Sequence, residues 1–333
     1  MNYNIKSDLG DGAFGLVKLA QHKVNNSLCA LKLMPKNVDD QSQLNMFENE
    51  VSVLSELSHP NIIGLVDYEY DDAYCDENGQ SHQAYSISLE LCSEGELFDI
   101  IAKTGSFSDE LSRYYFHQMI EGLEYIWSKG LRHRDIKLEN MLLDDKFVLK
   151  YIDFGLSTTD RHCDQWIGTT SYLAPEVFTK DKFRTKPLDI FALGIVLFTM
   201  YCRCPPFYQA TSDDLNYRLF VADNEKYWDI FEKRLNGEKF PSKFKTLIND
   251  MLSHNPKKRP TLKQIKKYDW YNQSLPIEEQ VVEELSRDQR FYNQETTKFI
   301  RCPICFVEKF WHTFHKLITT NLNFILNSID FQI

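Results

Sequence analysis

Gly10-Asp11-Gly12-Ala13-Phe14-Gly15 sets three glycines within six residues. Glycine has no Cβ, so backbone N–H groups can close on phosphate oxygens, and a G-x-G-x-x-G string suits a nucleotide. A dinucleotide loop of this pattern needs a helix directly after it and an acid about 20 residues further on. Here strand-like Leu16-Val17-Lys18-Leu19-Ala20 follows and no acid fits, so that reading is set aside. An ordinary hairpin turn stays as the plain alternative. Lys32, in Ala30-Leu31-Lys32, lies where a second strand would return beside the loop, and its ammonium could hold phosphates as a point charge. A lysine in that role needs a carboxylate to steady it. Glu50 offers one from the following helix, with Leu54 a turn further on to pack inward. Against this stands the simpler reading of two unrelated surface charges.

Three later strings decide between these readings. His133-Arg134-Asp135-Ile136-Lys137-Leu138-Glu139-Asn140 carries H-R-D-x-K-x-x-N, followed by strand-like Met141-Leu142-Leu143. Asp153-Phe154-Gly155 lies thirteen positions beyond Asn140, after strand-like Val148–Ile152, and Ala174-Pro175-Glu176 comes later. With all these motifs in this order and spacing, residues 3–271 resemble the eukaryotic protein kinases. The resemblance implies an α+β, two-lobed fold: a small β-rich N-lobe with one helix over about 3–91, a hinge over about 90–95 and a mainly helical C-lobe over about 96–271. Residues 272–333 would form a C-terminal tail.

The same resemblance implies ATP and Mg²⁺ as cofactors and assigns the residues. Gly10, Asp11, Gly12, Ala13, Phe14 and Gly15 would cover the phosphates, and Lys32, oriented by Glu50, would hold the α- and β-phosphates. Asp153 and Asn140 would ligate two Mg²⁺ ions through hard oxygens. Asp135 would take or orient the substrate hydroxyl proton while Lys137 steadies the γ-phosphate. Val17, Ala30 and Leu142 would sandwich adenine, Leu89 would be the gatekeeper, and Glu90 to Cys92 would pair with adenine through backbone groups. Leu54, Phe154 and His133 would form a packed column, Glu176 would pair with Arg259, and Asp189 would anchor the catalytic loop. A pseudokinase scaffold that binds nucleotide without turnover is the alternative. A small-molecule phosphotransferase is disfavoured, because Ala174-Pro175-Glu176 and Thr169 resemble a peptide-docking surface.

Lys137, two residues after Asp135, follows the serine/threonine pattern, and Thr169 is placed to touch both. Glu-Gly-Glu-Leu-Phe-Asp at 94–99 and Leu-Glu-Asn at 138–140 look like the calcium/calmodulin-dependent and AMP-activated kinase group. In that group, carboxylates matching Glu96 and Glu139 read basic residues ahead of the phosphoacceptor; ribose binding is an equal reading of Glu96. Leu156 resembles kinases that favour serine over threonine. The activation segment departs from the pattern: the position eleven residues before Glu176 holds Gln165, preceded by Asp164. Activity is therefore expected not to depend on phosphate there, with Thr158 and Thr159 as candidate substitutes. Thr170 replaces a commoner proline.

Elements that could position these residues are legible in outline. Leu28–Leu33 alternates, with Leu28, Ala30 and Lys32 on one face and Cys29, Leu31 and Leu33 on the other. Ser42–Ser58 reads as a helix with Phe47, Val51 and Leu54 on one side, and strands are expected over Ile62–Tyr70 and Ala84–Leu91 with Asp71–Gln83 as their turn. Ser108 is a fitting N-cap for a helix carrying Leu111, Tyr115, Met119, Leu123 and Ile126, closed at Gly130. Asp189–Tyr201, apolar on every side, should run through a core.

Composition bounds the rest. The 333 residues carry 38 Lys and Arg against 48 Asp and Glu, a net charge of −10 that argues against nucleic acid or anionic membrane as a general partner. The opening residues lack a signal-peptide pattern, no apolar run reaches the ~20 residues of a membrane span, and the 8 cysteines read as reduced thiols. An intracellular, cytoplasmic protein acting on serine or threonine of protein substrates is expected, with nuclear access left open. In the tail, Cys302, Cys305, His312 and His315 leave too few residues between pairs for the usual zinc-finger spacing. Trp311 and Phe324 with Lys309, His312, His315 and Lys316 faintly suggest an amphipathic calmodulin target. The plain reading, an apolar extension packed on the large lobe or poorly ordered, is preferred.

Overall fold

The protein is described here from a computed structural model covering residues 2–12, 15–36, 41–76, 78–234 and 239–295. Strands β1 (Tyr3–Gly12), β2 (Gly15–His22) and β3 (Leu28–Pro35) come first, then helix α1 (Gln41–Glu56), then β4 (Leu65–Cys75) and β5 (Ser81–Leu89). These strands form one antiparallel sheet in the order β1-β2-β3-β5-β4. On β3 the alternation separates two faces. Cys29, Leu31 and Leu33 join Tyr3, Ala20, Tyr74 and Ala84 in an apolar cluster, which leaves Ala30 and Lys32 on the opposite face. Helix α1 buries Phe47, Glu50, Val51 and Leu54, the i, i+3, i+4, i+7 spacing of one helical face. Phe47 seats it on the sheet, edge-on to Tyr70 at 5.0 Å and stacked on Tyr85 at 5.0 Å.

The expected Asp71–Gln83 turn is much shorter in the structure, because β4 runs on to Cys75 and β5 starts at Ser81. The turn is closed by Asp76, whose Oδ1 accepts the N–H groups of Asn78 and Gln80 at 2.9 Å each. β4 is an edge strand with Val66 to Asp71 exposed, so its polar residues hide the strand pattern.

The remainder is mainly helical. In order come β6 (Gly95–Glu96), α2 (Leu97–Thr104), α3 (Asp109–Ser128), β7 (Met141–Leu143), β8 (Leu149–Tyr151), β9 (His162–Cys163), α4 (Pro175–Thr179), β10 (Phe183–Arg184) and α5 (Thr185–Cys202). Then follow α6 (Leu215–Ala222), α7 (Asn224–Arg234), α8 (Ser242–Met251), α9 (Leu262–Ile265) and α10 (Glu278–Glu295). Ser108 caps α3 as expected, its Oγ accepting Leu111 N–H at 3.1 Å. Helix α5 starts four residues earlier than its apolar stretch and packs against α3 and α8. It is long and apolar enough to cross a membrane, yet 78% of it is buried inside this fold, which marks it as the central core helix. Residues Met1–Gln289 form one compact unit and Arg290–Ile333 a second. Within the first, the chain after 271 continues into α10, which buries Val281 and Leu285. The zinc and calmodulin readings of Cys302, Cys305, Lys309, Trp311, His312, His315, Lys316 and Phe324 lie outside the described residues.

Candidate active site

Three strands and one helix bring the first group together. Gly10 and Gly12 end β1 and Gly15 opens β2, with Gly12 paired to Gly15 across the hairpin. Only glycine fits at position 15, since a Cβ there would meet Leu33 O at 2.1 Å. Ala13 and Phe14 lie outside the described residues, as does the side chain of Asp11. Val17 pairs with Lys32 and Ala30 with Leu89, so β2, β3 and β5 present these residues in adjoining positions. Lys32 Nζ lies 2.6 Å from Glu50 Oε2 on α1 and 3.2 Å from Asp153 Oδ1. The unrelated-charges reading is thereby excluded: Lys32 is 8% exposed and Glu50 1%. Burial alone would push the Lys32 ammonium down, but the two carboxylates outweigh it and hold it above the ordinary lysine value. Burial pushes Glu50 up against the pull of Lys32. It opposes ionisation of Asp153 as well, yet Lys32 prevails and holds that carboxyl below its usual range.

The second group sits on the loop between α3 and β7. Asp135 Oδ1 accepts the Thr169 N–H at 3.1 Å and its hydroxyl at 3.2 Å. Its Oδ2 accepts Asn140 Nδ2 at 2.9 Å and lies 2.8 Å from Lys137 Nζ. Lys137 Nζ also donates to Thr169 Oγ1 at 3.0 Å. Gly168 allows this approach: with φ at 110°, a Cβ there would meet Arg134 O at 2.9 Å. Behind the loop, Asp189 Oδ1 accepts Arg134 N–H at 3.2 Å and Oδ2 accepts Trp127 Nε1 at 3.0 Å, which anchors the turn. Burial holds His133 below its ordinary value and therefore neutral. Asp135 N–H faces its Nδ1, so the proton sits on Nε2 and is donated to Ile152 O at 3.0 Å. The His133 ring lies 4.9 Å from that of Phe154. Glu176 and Arg259 form a buried bidentate pair at 2.7 and 2.6 Å.

The residues present suit a hard divalent cation. Asn140 commits Nδ2 to Asp135 O and Oδ2, both at 2.9 Å, leaving its side-chain carbonyl oxygen as an acceptor, and its backbone O accepts the N–H of Ile152, the residue before Asp153, at 3.1 Å. One carboxylate and one amide oxygen match Mg²⁺, which takes few protein ligands and completes its shell with phosphates and water.

Leu142 lies in β7, opposite Glu96 of β6. The Glu90 N–H is already spent on Gly64 O at 2.8 Å, and its carboxylate turns away from the cleft to accept Gly64 N–H at 3.0 Å and to pair with Lys150 at 2.7 Å. Only its backbone carbonyl remains for a ligand. A cavity of about 680 Å³ lies on that far side, lined by Ile63, Gly64, Glu90 and Lys150, and so away from the catalytic residues. Burial pushes the Cys92 thiol up to about 12, which makes it inert as a nucleophile. Burial, with Asp99 and Glu139 adding, pushes Glu96 up to about 7. Burial raises Glu139 too, and Glu139 accepts the Tyr172 hydroxyl at 3.4 Å.

Two features escaped the sequence. Asn49 Nδ2, on α1, lies 3.2 Å from Phe154 O, 2.9 Å from Gly155 O and 3.0 Å from Ser157 O, clamping the start of the activation segment. Its place one residue before Glu50 was the available signal. The Glu90–Lys150 pair joins residues sixty positions apart, and no motif marks it.

Residues 3–271 match the protein kinase domain family. The chain is 32% identical over 295 residues to serine/threonine-protein kinase SIK2 of Gallus gallus, covering 87% of this chain and 34% of that protein. It is 32% identical over 286 residues to serine/threonine protein kinase OSK3 of Oryza sativa subsp. indica, covering 83% and 51%. Against the probable serine/threonine-protein kinase MARK-A of Dictyostelium discoideum it is 32% identical over 285 residues, covering 83% and 24%. The chain thus spans between about a quarter and a half of these relatives' length. A two-lobed α+β fold, a Lys32–Glu50–Asp153 cluster and an Asp135–Lys137–Thr169–Asn140 cluster, in a chain matched over this span, place it in the protein kinase family.

Proposed function

We propose that the chain transfers the γ-phosphoryl group of Mg·ATP to serine or threonine of protein substrates. The arrangement around Asp135 carries this reading: a carboxylate held by Thr169 and Asn140, with Lys137 Nζ 2.8 Å away. Phosphoryl transfer needs positioning and charge neutralisation more than covalent help. Asp135 holds the acceptor hydroxyl in line and takes its proton as the oxygen attacks phosphorus. Lys137, tied to Thr169, stands beside the same acceptor to meet charge on the transferring group. Lys32 is kept cationic by Glu50 and Asp153 and holds the α- and β-phosphates. Bound Mg²⁺, held by Asp153 and Asn140, supplies neutralisation of the phosphate charge. Glu96 and Glu139 form an acidic ledge suited to a basic residue ahead of the acceptor.

The test is transfer from Mg·ATP to a serine peptide with upstream arginine, read by mass spectrometry, for the full chain and Asp135→Asn. Transfer is expected from the first, with a loss of about 10²–10⁴-fold in the second. Equal transfer by both would contradict the role of Asp135. Tight nucleotide binding with no transfer by either would make the protein a scaffold.

A further inference from the structure

Arg132 is 6% exposed, yet its Nε has no hydrogen-bond partner among the described residues. Buried donors are seldom left unpaired, and a buried guanidinium without a carboxylate is costlier still. Among the described residues its side chain bonds from Nη1 to Leu131 O and lies against the Trp127 ring, whose centre is 5.8 Å from the guanidinium carbon. Lys186 Nζ lies over the same ring at 4.6 Å. Arg161 joins them: Thr185 donates its N–H to Arg161 O at 3.2 Å and its hydroxyl to Asp160 O at 2.9 Å, which laces 160–161 to Thr185, the residue before Lys186. Burial lowers both Arg132 and Lys186; for Arg132 the pull of Asp189 opposes it and repulsion from Arg161 adds to it, and for Lys186 repulsion from Arg132 and then Arg161 adds to it, against Asp189. None of the three cations forms an ion pair among the described residues. The carboxylate facing them, Asp189, is spent on Trp127 and Arg134 N–H.

Thr158 stands beside this cluster. It pairs antiparallel with Arg132, exchanging both backbone bonds, 2.8 Å from Arg132 N to Thr158 O and 3.0 Å from Thr158 N to Arg132 O. Residues opposed in this way have Cα atoms about 5.5 Å apart and side chains on one face. Thr158 Oγ1 accepts Asp160 N–H at 3.1 Å, and its own proton is free to leave.

We propose that Thr158 is a phosphorylation site and that Arg132, Arg161 and Lys186 form the cradle that holds its phosphate. Attachment forms the Thr158 Oγ1–phosphorus bond, breaks the bond from the γ-phosphorus of ATP to its bridging oxygen, and releases ADP and the hydroxyl proton. The acting enzyme is a protein kinase, either another copy of this chain or a different one. The phosphate supplies the anion that the three cations lack and cross-links the start of the activation segment to α5.

The test does not depend on the chain's own activity. Phosphothreonine is placed at position 158 during translation of the full chain carrying Asp135→Asn, and the melting temperature is compared with the same chain bearing threonine. A rise of about 3–6 °C is expected, cut to under about 1 °C when Arg161→Gln and Lys186→Gln are added. Both of these side chains are exposed, so the variants should fold. No rise, or a rise that survives the two substitutions, overturns the proposal. A third arm adds inorganic phosphate to the Thr158→Val chain. A rise there that depends on Arg161 and Lys186, with none from phosphothreonine, would assign the cradle to a diffusible phosphate and overturn Thr158 as its source.

Discussion

Single side chains in this site are set by what surrounds them. Glu96 ionises near pH 7 because burial, with Asp99 and Glu139 adding, disfavours its charge. If it reads an upstream arginine, it does so only when ionised, above about 7. For a peptide with upstream arginine, kcat/KM should therefore rise with pH through about 7 and level off, and Glu96→Gln should flatten that rise. A peptide without basic residues should show no step. An unchanged profile in the Glu96→Gln chain would remove Glu96 from recognition. Lys32 and Glu50 could be suspected from residue chemistry alone, whereas Asp135, Lys137, Asn140 and Asp153 were legible through the family resemblance that their motifs carry. Glu90 could be read only in part: its place after β5 is legible, but the turn of its carboxylate towards Lys150 depends on tertiary packing.

Elements make the difference between residues that are present and residues that are assembled. Helix α1 supplies Glu50 to Lys32 and, one residue earlier, Asn49 to three carbonyls of the activation segment. Asn49→Ala removes that donor from all three carbonyls, although Phe154 O keeps the Ser157 N–H at 2.9 Å, at a cost of about 1–3 kcal/mol. The expected outcome is a tenfold or larger fall in kcat/KM and faster hydrogen exchange over 154–158, with nucleotide affinity less affected. Unaltered exchange there would show that the clamp does not hold the segment. The face of α1 and the alternation of β3 were legible, because one period decides each. The length of β4 was not, since an exposed edge strand carries no alternation of burial to read. The Thr158–Arg132 bridge was equally hidden, because it pairs segments with no shared pattern.

At the scale of the whole molecule, two ionic fastenings join segments far apart in the chain. Glu90–Lys150 ties the linker to β8, and Glu176–Arg259 ties the end of the activation segment to the loop before α9. The second is buried on both sides, so removing one partner strands a charge. Arg259→Met should cost about 3–5 kcal/mol, seen as a large fall in melting temperature; a fall of under a degree would show that the pair is dispensable. The order of motifs made the two-part architecture legible, whereas these fastenings join distant residues and emerge only from the fold. Lys32–Glu50–Asp153 and Asp135–Lys137–Thr169 stand assembled in a chain whose position 165 holds glutamine. On this basis we propose that phosphate on the segment is an added stabiliser and no condition for catalysis. The decisive measurement is the rate of phosphoryl transfer from Mg·ATP to a serine peptide by the full chain after exhaustive phosphatase treatment. A rate within about tenfold of the untreated chain is the predicted result. Loss of transfer with nucleotide binding intact, restored when the segment is phosphorylated again, would contradict it.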